Sequence, residues 1–405
     1  MRIAYAHFGD QSGVTPHLTS ALEAMGHEVV PVPAIGPLEP RDAATGRPRV
    51  TGPVALHLAA ALLRYGRRAM SYRWNTGVAF DLHSSWVGEQ LAGAGPIDAV
   101  LQNGALFAPG LPPTLPYVLY VDYTRALAER SPPVRAAGLV AQPRWGDAWR
   151  RRERDLYAGA AAIAAFSARA ARSVVDDYGV APETVQVVGP GANVPLAHAP
   201  RNDEGETVLF VGREFVRKGG PILLDAFARL RRVRPAARLL VAGPTRPVAT
   251  PPGVAHLGPV PMDALPALFA QATVFALPTL QEPFGLAYLD AMSCGLPCVA
   301  TRTEAVPEIV EDGVTGLLVP PGDAASLAAA LERLLADREL ARRMGERGRA
   351  RVEARFTWRR AADALAVALA GAASRARAVP FTVGREAHHP PWSAAGLVRG
   401  RRASP

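Results

Sequence analysis

The chain has 405 residues, 49% of them apolar, and a formal net charge of +9. This suffices for two to three domains with sizeable cores, and no apolar run approaches the roughly 18 residues of a membrane-crossing helix. The charge excess is uneven: Ser374 to Pro405 holds six arginines against one glutamate with no periodicity. Residues 374–405 are therefore expected to be a basic disordered tail, and without an RNP, helix-turn-helix or finger pattern the charge does not point to nucleic acid.

The first half alternates strand-like and helix-like segments. Arg2 to Phe8 reads as a strand and is too short for a signal peptide, so a cytoplasmic protein is expected. Gly9 to Gly13 is a polar loop, Pro16 to Met25 a helix stopped by Gly26, and His27 to Val32 the second strand. This βαβ opening favours a parallel sheet, and its loop is not the G-x-G-x-x-G of a dinucleotide fingerprint. Gly36 to Pro53 reads as a long connection and Val54 to Met70 as a helix. The helix ends in basic and aromatic residues, Arg64 to Arg68 and Tyr72-Arg-Trp74. They suit an anionic membrane surface or an acceptor, although arginines at a helix end are more often simply solvated there. Strands over Ile97–Leu101 and Tyr117–Val121 lead to Asn103 and Asp122. Ligands of parallel sheets bind beyond the carboxyl ends of strands, so these two are acceptor-side candidates, with ordinary turn or cap roles as the alternative. A basic helix over Trp145–Tyr157, a strand over Ala162–Phe166 and a helix capped by Ser167 follow. Val185 to Val188 then runs into Gly189-Pro-Gly191.

Leu196 to Gly205 has linker composition. It separates an N-terminal Rossmann-like domain, residues 1–195, from a C-terminal one, residues 206–370. In the second half, strands are expected over Thr207–Val211, Arg238–Val241, His256–Val260, Val274–Leu277, Cys298–Ala300 and Gly316–Val319. Ala324 to Ala370 is largely helical. Cys294 and Cys298 read as small buried residues, since no histidines stand at zinc-like spacing.

Two loops on one edge of the second sheet suit an anion. Gly212 to Gly220 follows a strand, precedes a helix, and carries Arg213, Arg217 and Lys218. Lys218 is the single lysine of the chain. Glycines permit close backbone approach, and Arg and Lys neutralise phosphate. The other loop, Leu277 to Gly285, holds Glu282 and leads into a helix opening near Phe284. Free N–H groups at a helix start attract anions, while the carboxylates of Glu282 and Asp290 accept from hydroxyls. A diphosphate ligand that also carries hydroxyls fits both loops.

Three stretches resemble the retaining glycosyltransferases of family 4, which have the GT-B fold: two Rossmann-like α/β domains facing across a cleft. They are Phe210 to Gly219, Glu282 to Met292, and Gly295 to Val319 with Pro307-Glu308 inside it. The resemblance implies that Arg213 and Lys218 hold the donor diphosphate and that Glu282 faces donor-sugar hydroxyls. By the same resemblance Phe284, Gly285 and Leu286 offer backbone donors and Asp290 holds the ribose. Gly13 belongs to a first-domain loop over the phosphates, and Gly258 to Val260 lie near the base. The chain departs from the family in having Asp at 290, Glu304-Ala305 where Gly-Gly is common, and Ser12-Gly13 for Gly-Gly.

The implied activity is transfer of a sugar from a nucleotide diphosphate sugar to an acceptor hydroxyl, with retention of configuration. Fixed cations stand in for a metal, and no cofactor is expected. The acceptor class, whether glycan, lipid or small molecule, is open, as is peripheral contact with the inner face of a membrane. The alternatives are a sugar-nucleotide epimerase or hydrolase of the same fold, and a degenerate binding protein without turnover.

Overall fold

The structure is a computed structural model that describes residues 1–36, 39, 51–131, 146–195 and 205–378. Most of the connection expected over 36–53, the linker at 196–204 and the tail beyond 378 lie outside the described residues.

The first sheet holds β1 (Arg2–His7), β2 (Glu28–Pro33), β3 (Ala99–Asn103), β4 (Tyr117–Val121), β5 (Ala162–Ala165) and β6 (Val185–Val187). Its order is β2-β1-β3-β4-β5-β6, and every pairing is parallel. The second sheet holds β7 (Thr207–Val211), β8 (Arg238–Ala242), β9 (Val254–Gly258), β10 (Val274–Leu277), β11 (Cys298–Thr301) and β12 (Gly316–Val319). It runs β12-β11-β10-β7-β8-β9, again all parallel. Central strands such as β4 and β10 are buried along their whole length. Strands covered by helices on both faces need continuous apolar runs rather than alternation, and that is how these segments read.

Helices of the first half are α1 (Val14–Glu23), α2 (Gly52–Tyr65), α3 (Ala69–Tyr72), α4 (Gly77–Gly93), α5 (Arg125–Arg130), α6 (Asp147–Gly159) and α7 (Ala168–Tyr178). Those of the second half are α8 (Gly220–Val233), α9 (Leu265–Ala270), α10 (Leu286–Ser293), α11 (Val306–Ile309), α12 (Ala324–Ala336), α13 (Arg338–Arg355) and α14 (Trp358–Ala378). Among the described residues no helix is long and apolar enough to cross a membrane.

Strand β9 lies two residues earlier than expected and the helix expected over Val54–Met70 ends at Tyr65, but two other differences from the sequence reading matter more. Helix α4 was not anticipated. It buries Asp81, His83 and Ser84 as well as Phe80 and Val87, so its buried face is not an apolar stripe. Asp81 is neutralised by Arg152 of α6, and Phe80 meets Trp149 edge-on at 5.3 Å.

The second difference is α14. Sequence order grouped it with the second half, but it packs on α1 and across β3, β4 and β5 of the first sheet. It buries Ala361, Ala362, Leu365, Leu369 and Ala372 there. It also extends to Ala378, so the first residues of the expected tail are helical. The chain thus crosses between the halves twice. The crossings touch where the Ala192 N–H donates to the Phe356 carbonyl at 3.0 Å. A side chain at Gly191 would fall 2.2 Å from the Trp358 nitrogen, which is why glycine stands there.

Candidate active site

The two anion-suited loops are joined. The Leu280 N–H donates to the Arg217 carbonyl at 2.9 Å, and Arg217 Nη1 donates to the Gln281 carbonyl at 2.7 Å. Gly219, at φ +76, presses on the other loop so closely that a Cβ would lie 1.9 Å from the Pro278 carbonyl oxygen. This apposition brings Lys218 against Glu282 in an ion pair whose side chains are 14% and 6% exposed. Burial lowers the Lys218 pKa below its ordinary value, and the Glu282 charge opposes that shift. Arg213, on the same loop, is exposed and has no carboxylate partner among the described residues.

Helices α8 and α10 open at these loops, and α1 opens after the loop that follows β1. Their N-cap residues are Gly219, Gly285 and Gly13, each left-handed, and no side chain caps any of the three. Helices α2, α4, α5, α7, α12 and α13 are capped by Thr51, Thr76, Thr124, Ser167, Asp323 and Asp337, while α3, α6, α9 and α11 also lack a side-chain cap. Free first-turn amides carry partial positive charge that suits phosphate oxygens. In α1, Val14 and Thr15 already donate to the Gln11 and Asp10 carbonyls. In α8, Gly220 donates to the Phe215 carbonyl and Pro221 has no N–H, so α10 is the best placed of the three. Phe284 is buried and meets Phe166 of the first domain edge-on at 5.6 Å, so its side chain is an interdomain contact. Leu286 is half-buried at the start of α10.

Asp290 is buried on α10, and its Oδ1 accepts from the Asn193 and Val194 amides at 2.7 and 3.0 Å. Burial pushes its carboxyl up to about 6. Asn193 Nδ2 donates to the Ser12 carbonyl at 2.8 Å, which ties the Gly13 loop to the same crossing segment. Gly258 ends β9 at φ +68 with open space beside it, and Val260 is half-buried against the core. These two stand at the far edge of the second sheet.

On the first domain, Asn103 is buried at the end of β3 and its Nδ2 donates to the Tyr5 hydroxyl at 3.1 Å. Asp122 follows β4. Burial raises its pKa, the Arg125 charge opposes that shift, and the Glu282 charge adds slightly to it. Two more residues, given no role by the sequence, act here. Glu304, after β11, accepts from the Tyr123 hydroxyl and the Glu282 amide, both at 2.5 Å, and from Ser131 Oγ. Glu308 on α11 accepts from the first amides of α7, Ala168 at 2.6 Å and Arg169 at 2.9 Å. The only sequence signal for Glu304 was a carboxylate where the resembling family commonly has glycine.

Residues 205–337 match the family described as glycosyl transferases group 1. The second half of the chain carries a group 1 glycosyl transferase domain. A D-inositol 3-phosphate glycosyltransferase of Geodermatophilus obscurus is 33% identical over 279 residues, 60% of each chain, so the match spans three-fifths of that relative's length. The sucrose-phosphate synthase of Thermosynechococcus elongatus superposes with a TM-score of 0.67 at 21% identity, covering 91% of this chain and 98% of that one. Anabaena HepE, solved with UDP and glucose, superposes at 0.61 with 18% identity, covering 91% and 99%. The architecture is GT-B. In this group 1 domain the Lys218–Glu282 pair and the openings of α8 and α10 share one edge of the sheet, facing the first domain.

Proposed function

We propose that the protein is a retaining family 4 glycosyltransferase that moves a sugar from a nucleotide diphosphate sugar to an acceptor hydroxyl. The observation that carries this reading is the buried Lys218–Glu282 pair at the junction of two loops, flanked by two uncapped helix starts. A diphosphate entering here takes the place of Glu282 as the partner of Lys218, and Glu282 is released toward sugar hydroxyls. Departure of the nucleoside diphosphate builds negative charge. Lys218, exposed Arg213 and the first amides of α10 are placed to neutralise it. Asp290 keeps Oδ2 for the ribose while Oδ1 holds the crossing segment. Gly13 lies on the loop assigned to the phosphates, and Gly258 to Val260 to the base. Asn103 and Asp122 line the acceptor side. Retention belongs to the same reading through family resemblance, and the anomeric coupling in the product's proton spectrum checks it.

Lys218→Ala and Arg213→Ala are the tests. Losing one fixed donor to transition-state charge costs about 10²–10³-fold in kcat. Arg213 is exposed, so its replacement leaves the fold intact and keeps the result readable if Lys218→Ala unfolds around an unpaired Glu282. Wild-type turnover in both variants would sink the diphosphate role. The reading also includes peripheral contact with an anionic membrane. It is supported by exposed Leu56, Leu62, Leu63 and Met70 beside Arg67 and Arg68 on α2 and the turns after it.

A further inference from the structure

We propose that Glu304 is a positioning residue for donor-sugar specificity, orienting Glu282 in a way that depends on contact between the two domains. This rests on the glycosyltransferase reading above. Glu304 has φ +46, in the left-handed region. An L-residue is strained there and glycine is not, so the side chain is kept against a local cost.

What the side chain does is specific. Gln281 C=O and Glu282 N–H belong to one peptide group. Arg217 donates to that carbonyl at 2.7 Å, and Glu304 Oε2 accepts from that amide at 2.5 Å. The peptide plane is therefore gripped on both sides, which sets the direction in which the Glu282 side chain leaves the loop. The Arg217 charge faces both Glu282 and Glu304, so two acids are tolerated together.

The other oxygen of Glu304, Oε1, accepts from Tyr123 and Ser131 of the first domain. Burial, reinforced by Glu304, raises the Tyr123 pKa, so its hydroxyl remains a donor. When the domains separate, Oε1 loses both partners and only the single bond to the Glu282 amide remains. Recognition of the donor sugar is thereby linked to domain contact. The nucleoside diphosphate, held by Lys218, Arg213 and helix starts, is not.

The experiment compares affinities for a free nucleoside diphosphate and for the intact sugar nucleotide, by calorimetry on the full chain. The probe is whichever of UDP-glucose, UDP-N-acetylglucosamine and GDP-mannose binds the wild type most tightly. Glu304→Gly removes the carboxylate and relieves the strain. It is expected to leave diphosphate affinity within about twofold, to weaken sugar-nucleotide binding about tenfold, and to lower kcat. Tyr123→Phe, which removes only the cross-domain hydroxyl, is expected to shift the same ratio by about threefold. Glu304→Gln, keeping shape and one acceptor oxygen, should fall between wild type and Glu304→Gly. A wild-type ratio in Glu304→Gly, with only its melting temperature changed, overturns the proposal and leaves a structural latch. A changed ratio in Glu304→Gly with none in Tyr123→Phe overturns the dependence on domain contact. If the wild type binds neither a free nucleoside diphosphate nor any of the three sugar nucleotides, the glycosyltransferase reading fails first and this inference with it.

Discussion

Asp290 joins a role in the fold to the proposed role in the site. It holds the amides of Asn193 and Val194, and burial raises its carboxyl from 3.8 to about 6. The ionised form is thus disfavoured in the folded state. Below pH 3.8 the group is protonated whether folded or not. Between pH 3.8 and 6 the folded state binds more protons than the unfolded one, so stability falls as pH rises through that window. The loss amounts to about 3 kcal/mol, reached above pH 6. Asp290→Asn keeps the accepting oxygen and cannot ionise. Urea unfolding of both proteins from pH 4 to 7.5 should show the variant gaining on wild type up to about pH 6.5 and then holding a constant lead. Glu153, also raised to about 6, is present in both and cancels. Parallel curves across the range would refute the burial cost.

Among the elements, the proposed donor site depends on two loops that touch. Gly219→Ala places a methyl on the Pro278 carbonyl in a left-handed backbone, whereas Gly258→Ala meets nothing. The first should cost at least ~2 kcal/mol in urea unfolding, the second only ~1 kcal/mol for the left-handed conformation. Nucleotide binding should be lost in the first, which disturbs the apposition of the loops. Equal costs would mean that the apposition of the loops is not tight. Helix α2 is the other element with an exposed consequence. Leu63 is 89% and Leu62 61% exposed, and Arg67 and Arg68 follow. Co-sedimentation with anionic vesicles, falling with salt and reduced in Leu62→Asp/Leu63→Asp, is the expected outcome. Equal sedimentation with neutral vesicles would argue against an electrostatic surface contact.

For the whole molecule the deciding feature is the second crossing. Helix α14 follows the whole second domain in sequence, yet it completes one face of the first sheet. Leu365 is fully buried there, so Leu365→Ala should cost about 2–5 kcal/mol and expose the first domain to early proteolysis. Cleavage appearing first within the second domain would contradict that packing. Three carboxylates of the second domain, Asp290, Glu304 and Glu308, each bond to the first. The contact between the halves thus joins polar bonds to the apolar Phe166–Phe284 contact.

Much of the architecture is legible in the amino-acid order. Buried parallel strands must be continuous apolar runs, so both sheets could be read strand by strand. Glycine, Arg and Lys in a loop at a strand's carboxyl end suit an anion, so Arg213 and Lys218 are legible locally as candidates, while the donor-sugar role proposed for Glu282 came from family resemblance. What the tertiary structure decided is everything that depends on pairing across sequence distance. Helix α4 hides polar residues because Arg152, 71 positions on, neutralises Asp81. Helix α14 belongs to the first sheet because its apolar face fits there, which periodicity cannot show. Glu304 reads from sequence as a departure from a glycine pattern. Its use appears only when folding brings the Glu282 amide, 22 positions before it, and the Tyr123 hydroxyl, 181 positions before it, to the two oxygens of one carboxylate.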